Sequence, residues 1–231
     1  MKLNRTILGI LFVLVPFAGA NAAQYVVAEA RGIAISAGTV IDSSKTIDLK
    51  QGQHLVLISS TGQTLKLDGP YHRAPAAEHG VELAAAFSGL LTERKARTSE
   101  IGTTRSTAPR PDLPQPWVID ASAPGNACLM QNAAPVLWRP DDKSALDVVI
   151  TPTDRSWKAE TKWPAGKADL KLKEDIGVHG DASYFIALNG SESAIAIATV
   201  PATLTNDQMR AAWMIQKGCD RQAEALLRNR G

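Results

Sequence analysis

After an apolar leader the chain alternates apolar and polar positions in short bursts. Tyr25 to Ala30, Ile33 to Ile35, Thr46 to Leu49, His54 to Ser59 and Gln63 to Leu67 read as strands, with Gly32, Gly38, Gly52, Gly62 and Gly69 breaking the runs. The pattern predicts a meander of small antiparallel strands. Its clearest unit is a hairpin. His54 to Ile58 and Thr64 to Asp68 flank a Ser60-Thr61-Gly62 turn, and Leu65 and Leu67 alternate with polar neighbours as a half-buried strand does. Asp68-Gly69-Pro70-Tyr71 then predicts the end of the sheet.

From Pro75 to Leu91 the period changes. Leu83, Ala86, Phe87 and Leu90 recur at helical spacing and form one apolar stripe, which predicts an amphipathic helix packed on the sheet. Glu93 to Pro116 carries Arg94, Lys95 and Arg97, then Thr, Ser and Gly, then Pro109, Pro111, Pro114 and Pro116. That composition predicts a linker, extended at its end.

From Trp117 onward seven or so short strands follow: Ala127 to Met130, Pro135 to Trp138, Ala145 to Ile150, Ser156 to Glu160, Ala168 to Leu172, Tyr184 to Leu188 and Ala194 to Thr199. Even spacing with turn residues between them predicts a β-sandwich, with Trp138, Trp157, Trp163 and Tyr184 giving bulk to its core. The C-terminus is helical. Thr205 as N-cap with Gln208 reads as a capping box, and Leu204 with Met209 as a hydrophobic staple. Gly218 suits the C′ position. Asp220 then caps a second helix, and Ala212, Trp213, Ala223, Leu226 and Leu227 face inward in a helical hairpin. The fold class is mainly β with α: an N-terminal antiparallel β-module plus helix over 23–92, a basic Pro-rich linker over 93–116, and a β-sandwich with a C-terminal helical hairpin over 117–231.

The leader itself fixes an address. Lys2 and Arg5 precede an 11-residue apolar run from Ile7 to Phe17, and Ala18 to Ala23 supplies small residues for cleavage, with Ala20-x-Ala22 at the positions a signal peptidase reads. At about 1.5 Å per residue the run is far shorter than a hydrocarbon core of roughly 30 Å. Residues 1–22 therefore read as a signal peptide, and the mature chain as a periplasmic protein with no stable membrane span. With Lys2 and Arg5 removed it carries 23 charges of each sign, so bulk charge gives no argument for nucleic acid. Cys128 and Cys219 are the two cysteines of the chain. In an oxidising compartment an even pair predicts a disulfide.

Signatures of catalysis are sparse. The chain has no Gly-x-Ser-x-Gly, no phosphate-binding Gly-x4-Gly-Lys, no dinucleotide Gly-x-Gly-x-x-Gly, no His-Glu-x-x-His and no Ser-x-x-Lys. Glu174, Asp175, His179 and Asp181 offer oxygen and imidazole ligands, but with Gly177 and Gly180 among them they read as a solvated turn, and no metal or cofactor is expected. Glu78, His79 and Glu82 share helical spacing as an ordinary surface group. His54 and His72 have no assigned role. Val178-His179-Gly180 with Gly218-Cys219-Asp220-Arg221 resembles the L,D-transpeptidase signature, in which a cysteine attacks peptidoglycan stem peptides. Here Gln216-Lys217 stand where that family has Ser-His, so the imidazole that would activate the thiol is missing.

Arg31-Gly32, Gly38-Thr39-Val40, Ile47-Asp48-Leu49-Lys50-Gln51-Gly52, Leu55-Val56-Leu57 and Gly62-Gln63-Thr64-Leu65-Lys66-Leu67-Asp68-Gly69-Pro70 together resemble the periplasmic FecR-like domain. The resemblance covers Tyr25 to Arg73 and implies a noncatalytic protein-contact module; FecR regulators use theirs to receive signals from an outer-membrane transporter. Only a handful of residues precede the apolar run here, so no sigma-factor-binding arm is expected. The reading is an exported periplasmic interaction or scaffold protein, not an enzyme, whose partner is an envelope protein. Two alternatives stay open: a cell-wall-modifying cysteine enzyme around Cys219 and His179, and an envelope polymer or small-ligand binder using Trp157 and Trp163.

Overall fold

The structure is a computed structural model that describes residues 24–75, 85 and 110–228. The leader, nearly all of the helix expected over Pro75 to Leu91, the Glu78, His79 and Glu82 group, and residues 93–109 of the linker lie outside the described residues.

Six short strands build the first part: β1 (Gln24–Arg31), β2 (Val40–Asp42), β3 (Ile47–Leu49), β4 (His54–Ser59), β5 (Thr64–Asp68) and β6 (Tyr71–Arg73). Four of them form an antiparallel sheet in the order β2-β1-β4-β5, and β3 pairs with β6. The β4–β5 hairpin has the expected register, with His54 opposite Asp68 and Ile58 opposite Thr64. Strand β4 is covered on both sides. Leu55 and Leu57 pack with Leu49 and Tyr71, whereas Val56 and Ile58 enter a second core, which is why its apolar run is unbroken.

Two local expectations change. Ile33 to Ile35 is not a strand, because the Ile35 N–H donates to the Ile33 carbonyl in a three-residue turn, and β2 takes the edge beside β1 instead. Nor does the sheet material stop at Pro70. After a cis Gly69–Pro70 peptide the chain returns as β6. Gly69 lies so close to Lys50 that a Cβ there would sit 1.8 Å from the Lys50 carbonyl oxygen, so only glycine fits.

The second part contains β7 (Ile119–Asp120), β8 (Gly125–Met130), β9 (Val136–Trp138), β10 (Leu146–Pro152), β11 (Ala159–Trp163), β12 (Asp169–Lys171), β13 (Ala182–Leu188) and β14 (Ser191–Val200). One sheet runs β11-β10-β13-β14-β8 and another β12-β9-β7. They share one apolar layer, with Val148, Ile150, Ile186 and Ile197 of the larger sheet in the same core as Ile119 and Leu137 of the smaller, a sandwich-like arrangement. The pairs β14–β8 and β7–β9 are parallel, which a meander reading does not foresee. The strand expected at Ser156 to Glu160 starts instead at Ala159. The reason is local: the Asp154 carboxylate accepts from both the N–H and the hydroxyl of Ser156, and Arg155 has φ 57°, so the chain is still turning there. Asp42 with Ser44 and Asp120 with Ser122 repeat the same Asp-x-Ser turn.

Two helices, α1 (Asp207–Gln216) and α2 (Asp220–Arg228), end the described chain. The N-cap of α1 is Asn206 rather than Thr205: its side-chain oxygen accepts from the Met209 N–H at 2.9 Å. The other end follows the expectation. Gly218 has φ 72°, its N–H donates to the Ile215 carbonyl, and the Cys219 N–H donates to the Met214 carbonyl, which is a Schellman motif. The hairpin fills the space between the two parts. Trp213, Met209 and Ala223 share one core with Val26, Ala28, Val56 and Ile58 from the first sheet and Cys128 and Val200 from the larger one.

Candidate functional site: a groove beside the cysteine pair

Cys128 lies on β8, the outer strand of the five-stranded sheet, and Cys219 follows the Schellman turn that joins the helices. Their sulfurs stand at disulfide distance, with Cα atoms 5.9 Å apart and both residues 1% exposed. One helical turn further on, Gln222 reaches the same strand. Its Oε1 accepts from the Cys128 N–H at 2.6 Å, and its Nε2 donates to the Cys128 carbonyl at 2.8 Å and the Val118 carbonyl at 3.2 Å. The amide thus stands in for the strand that β8 lacks on its outer side. At the neighbouring end of β14 the same substitution recurs: the Thr199 N–H donates to Asp181 and its carbonyl accepts from the Trp213 indole.

Beside Gln222 lies a groove of about 730 Å³ between β8, the start of α2 and the chain from Arg110 to Asp120. Its charged lining is Arg110, Asp112, Asp120, Asp220, Arg221 and Glu224. Arg221 holds two of these walls together, pairing with Asp120 and donating to the Pro111 carbonyl at 2.7 Å. Arg228 pairs with Asp112, and Leu113 is buried with Val118, Trp138 and Ala225. The last residues of the expected linker are therefore packed against the hairpin.

The other residues singled out in the sequence fall elsewhere. Trp163 is fully buried under the Arg139 guanidinium, which lies 5.0 Å from its ring and is itself held by the Lys167, Asp142 and Pro164 carbonyls, so Trp163 has no surface to offer a ligand. Trp157 is half-buried, its ring 6.0 Å from that of Tyr184. Glu174 and Asp175 sit on a short 3-10 turn, Asp181 is engaged with Thr199, and among the described residues no group of three or more His, Cys, Asp or Glu is placed to hold a metal. The His179 ring lies 2.8 Å from the Gly180 carbonyl, and no contact among the described residues joins it to Cys219. His54 pairs across the hairpin with Asp68 at 2.6 Å. His72 faces Asp48 at 3.8 Å. Gln222 escaped the sequence reading, since a glutamine one position before inward-facing Ala223 reads as surface until the strand it caps is known.

Compared with family models, curated proteins and solved structures, the chain finds no match. Among the described residues no helix is long and apolar enough to cross a membrane.

Proposed function

We propose that the chain is an exported, nonenzymatic interaction or scaffold protein of the periplasm that contacts an envelope protein partner. The observation that carries this reading is the pair Cys128 and Cys219 at disulfide distance in a chain with a signal-peptide-like leader, which is compatible with an oxidising compartment. The groove adds support. Asp120 and Asp112 pair with Arg221 and Arg228, and the Arg110 and Arg221 guanidiniums donate to the Pro124 and Pro111 carbonyls, so these groups hold chain segments together. The resemblance of Tyr25 to Arg73 to FecR-like domains supports protein contact over catalysis. The cysteine-enzyme alternative needs an accessible Cys219 thiolate, and a buried sulfur beside Cys128 gives it no support.

Site-specific photo-cross-linking in intact cells tests the reading, with the reactive group placed in turn at Glu224, Lys171, Lys66 and Glu160, on four different elements of the fold. A covalent adduct to one discrete envelope polypeptide from any of these positions is expected. No polypeptide adduct from any of them would overturn it.

A further inference from the structure

Asn189 stands at the tip of the β13–β14 hairpin, and we propose that it is a site of self-modification. In the folded chain the backbone nitrogen of Gly190 displaces its side-chain amide, and water opens the resulting five-membered imide to aspartate and isoaspartate. The site is not part of the groove lining and does not depend on the interaction-protein reading.

Leu188 pairs with Ser191, so Asn189 and Gly190 form the whole loop. Their φ values, 47° and 86°, are both positive, the I′ pattern that Asn-Gly favours. Both residues are exposed. The Asn189 carboxamide is held by its oxygen alone. Oδ1 accepts from the Asp147 N–H at 2.8 Å, beside the bond from the Asn189 N–H to the Asp147 carbonyl at 2.9 Å. Nδ2 has no partner among the described residues, and neither does the Gly190 N–H. A Cβ on Gly190 would meet nothing within 4 Å, so solvent reaches the loop from an open side.

Each of these features serves a step. Hydroxide takes the Gly190 amide proton, and the nitrogen attacks Asn189 Cγ. Negative charge then builds on Oδ1, where the Asp147 N–H already stands, and a donor aimed at a developing oxyanion lowers the barrier. The Cγ–Nδ2 bond breaks without the loss of a hydrogen bond at Nδ2, and ammonia leaves with a proton from water, which restores the hydroxide. Water next adds to one of the two imide carbonyls and breaks its bond to nitrogen. Opening at Cγ gives aspartate; opening at the main-chain carbon gives isoaspartate. Glycine at the next position puts no side chain in the way of the attack.

The three other asparagines among the described residues lack this combination. Asn206 is held at both ends of its carboxamide, by the Met209 N–H and by the Ser60 carbonyl, each at 2.9 Å. After Asn132 the Ala133 N–H is donated to the Met130 carbonyl at 3.0 Å. After Asn126 comes Ala127, buried in the β8–β14 ladder opposite Ile197.

The test incubates the full mature chain, cysteines oxidised, in mildly alkaline buffer at body temperature, and maps its peptides by mass spectrometry with aspartate and isoaspartate separated by chromatography. Asn189 should convert at least about tenfold faster than Asn126, Asn132 or Asn206, at a rate that rises with hydroxide, and both acid forms should appear. Gly190→Ala, whose added carbon meets no neighbour, should convert about tenfold more slowly while its amide spectrum stays that of the folded chain. Asn189→Gln keeps an amide but cannot close the five-membered ring, and should yield no acid at this position in the same time. An Asn189 that stays intact in the folded chain while the urea-unfolded chain converts there would show that the hairpin shields it and overturns the proposal. Faster conversion at another of these asparagines, or equal conversion of Asn189→Gln, overturns it as well.

Discussion

Gln222 bonds both backbone groups of Cys128, and in doing so makes a helix side chain the last strand of a sheet. The contact joins residues 94 apart in sequence and sits beside the cysteine pair, so the C-terminal hairpin is tied to β8 twice. Because the same hairpin also fills the face of β1 and β4, the stability of the first sheet is coupled to a link that lies wholly in the second part.

Gln222→Leu removes that amide and leaves a buried N–H and carbonyl of Cys128 without partners. Each such group costs about 1–3 kcal/mol, so urea unfolding should show a loss of roughly 2–5 kcal/mol. Gln222→Glu keeps an acceptor for the Cys128 N–H but sets a buried carboxylate against the Cys128 and Val118 carbonyls, and should cost at least as much as the leucine variant at neutral pH. A loss below about 0.5 kcal/mol for Leu would show that water replaces the amide at no cost.

Cys219→Ser opens a loop with a sequence separation of 91. The chain-entropy model gives roughly 4–5 kcal/mol for a link of that span, reduced by any native strain. Guanidinium unfolding of the serine variant should shift to lower denaturant by the equivalent of a few kcal/mol, and reduction of the wild type should do the same. Equal midpoints for oxidised and reduced protein would contradict the link.

At Gly218 two costs coincide. Its φ of 72° is unfavourable for a side chain, and a Cβ would lie 2.5 Å from Asn126 Nδ2. Gly218→Ala should lower stability by about 1–2 kcal/mol and move the Asn126 side-chain NMR signals, since that amide must shift. An unchanged melting temperature with unmoved Asn126 signals would refute the Schellman geometry.

Part of this was legible in the sequence. The β4–β5 hairpin, Gly218 and the cysteine pair follow from rules that act within a few residues or from the chemistry of one residue type. What escaped depends on distant partners. The parallel pairing of β14 with β8 brings Ile195 opposite Gly125, and no local pattern marks that match. Trp163 reads equally well as a core or a surface aromatic until Arg139 is seen to cover it. Asn206 and Thr205 are both good N-caps; Asn206 also donates to the Ser60 carbonyl of the first sheet, a contact that fixes the choice and is invisible locally. The groove is made of five chain segments and has no motif of its own.

The Asp-x-Ser turns carry a pH signature. The Ser44 hydroxyl, then its N–H, holds the Asp42 carboxyl below the ordinary aspartate value, and the Ser156 N–H, then its hydroxyl, does the same for Asp154. A depressed folded-state pKa contributes stability that is present above the unfolded value and lost as pH falls through the folded one. Both groups are exposed, so the effect is modest. Melting temperature should decline as pH drops below about 4, and less steeply in the Asp42→Asn, Asp154→Asn double variant. Identical slopes for the two proteins would contradict the assignment.

We propose an exported chain whose groove is held in place by a sulfur–sulfur link between Cys128 and Cys219. Non-reducing peptide mapping of the protein isolated from the envelope fraction, with free thiols alkylated at lysis, tests it most directly. The account predicts an N-terminus at or within a few residues of Ala23 and a cross-linked pair of peptides containing Cys128 and Cys219. A full-length chain beginning at Met1, with Cys128 and Cys219 both alkylated, would contradict it.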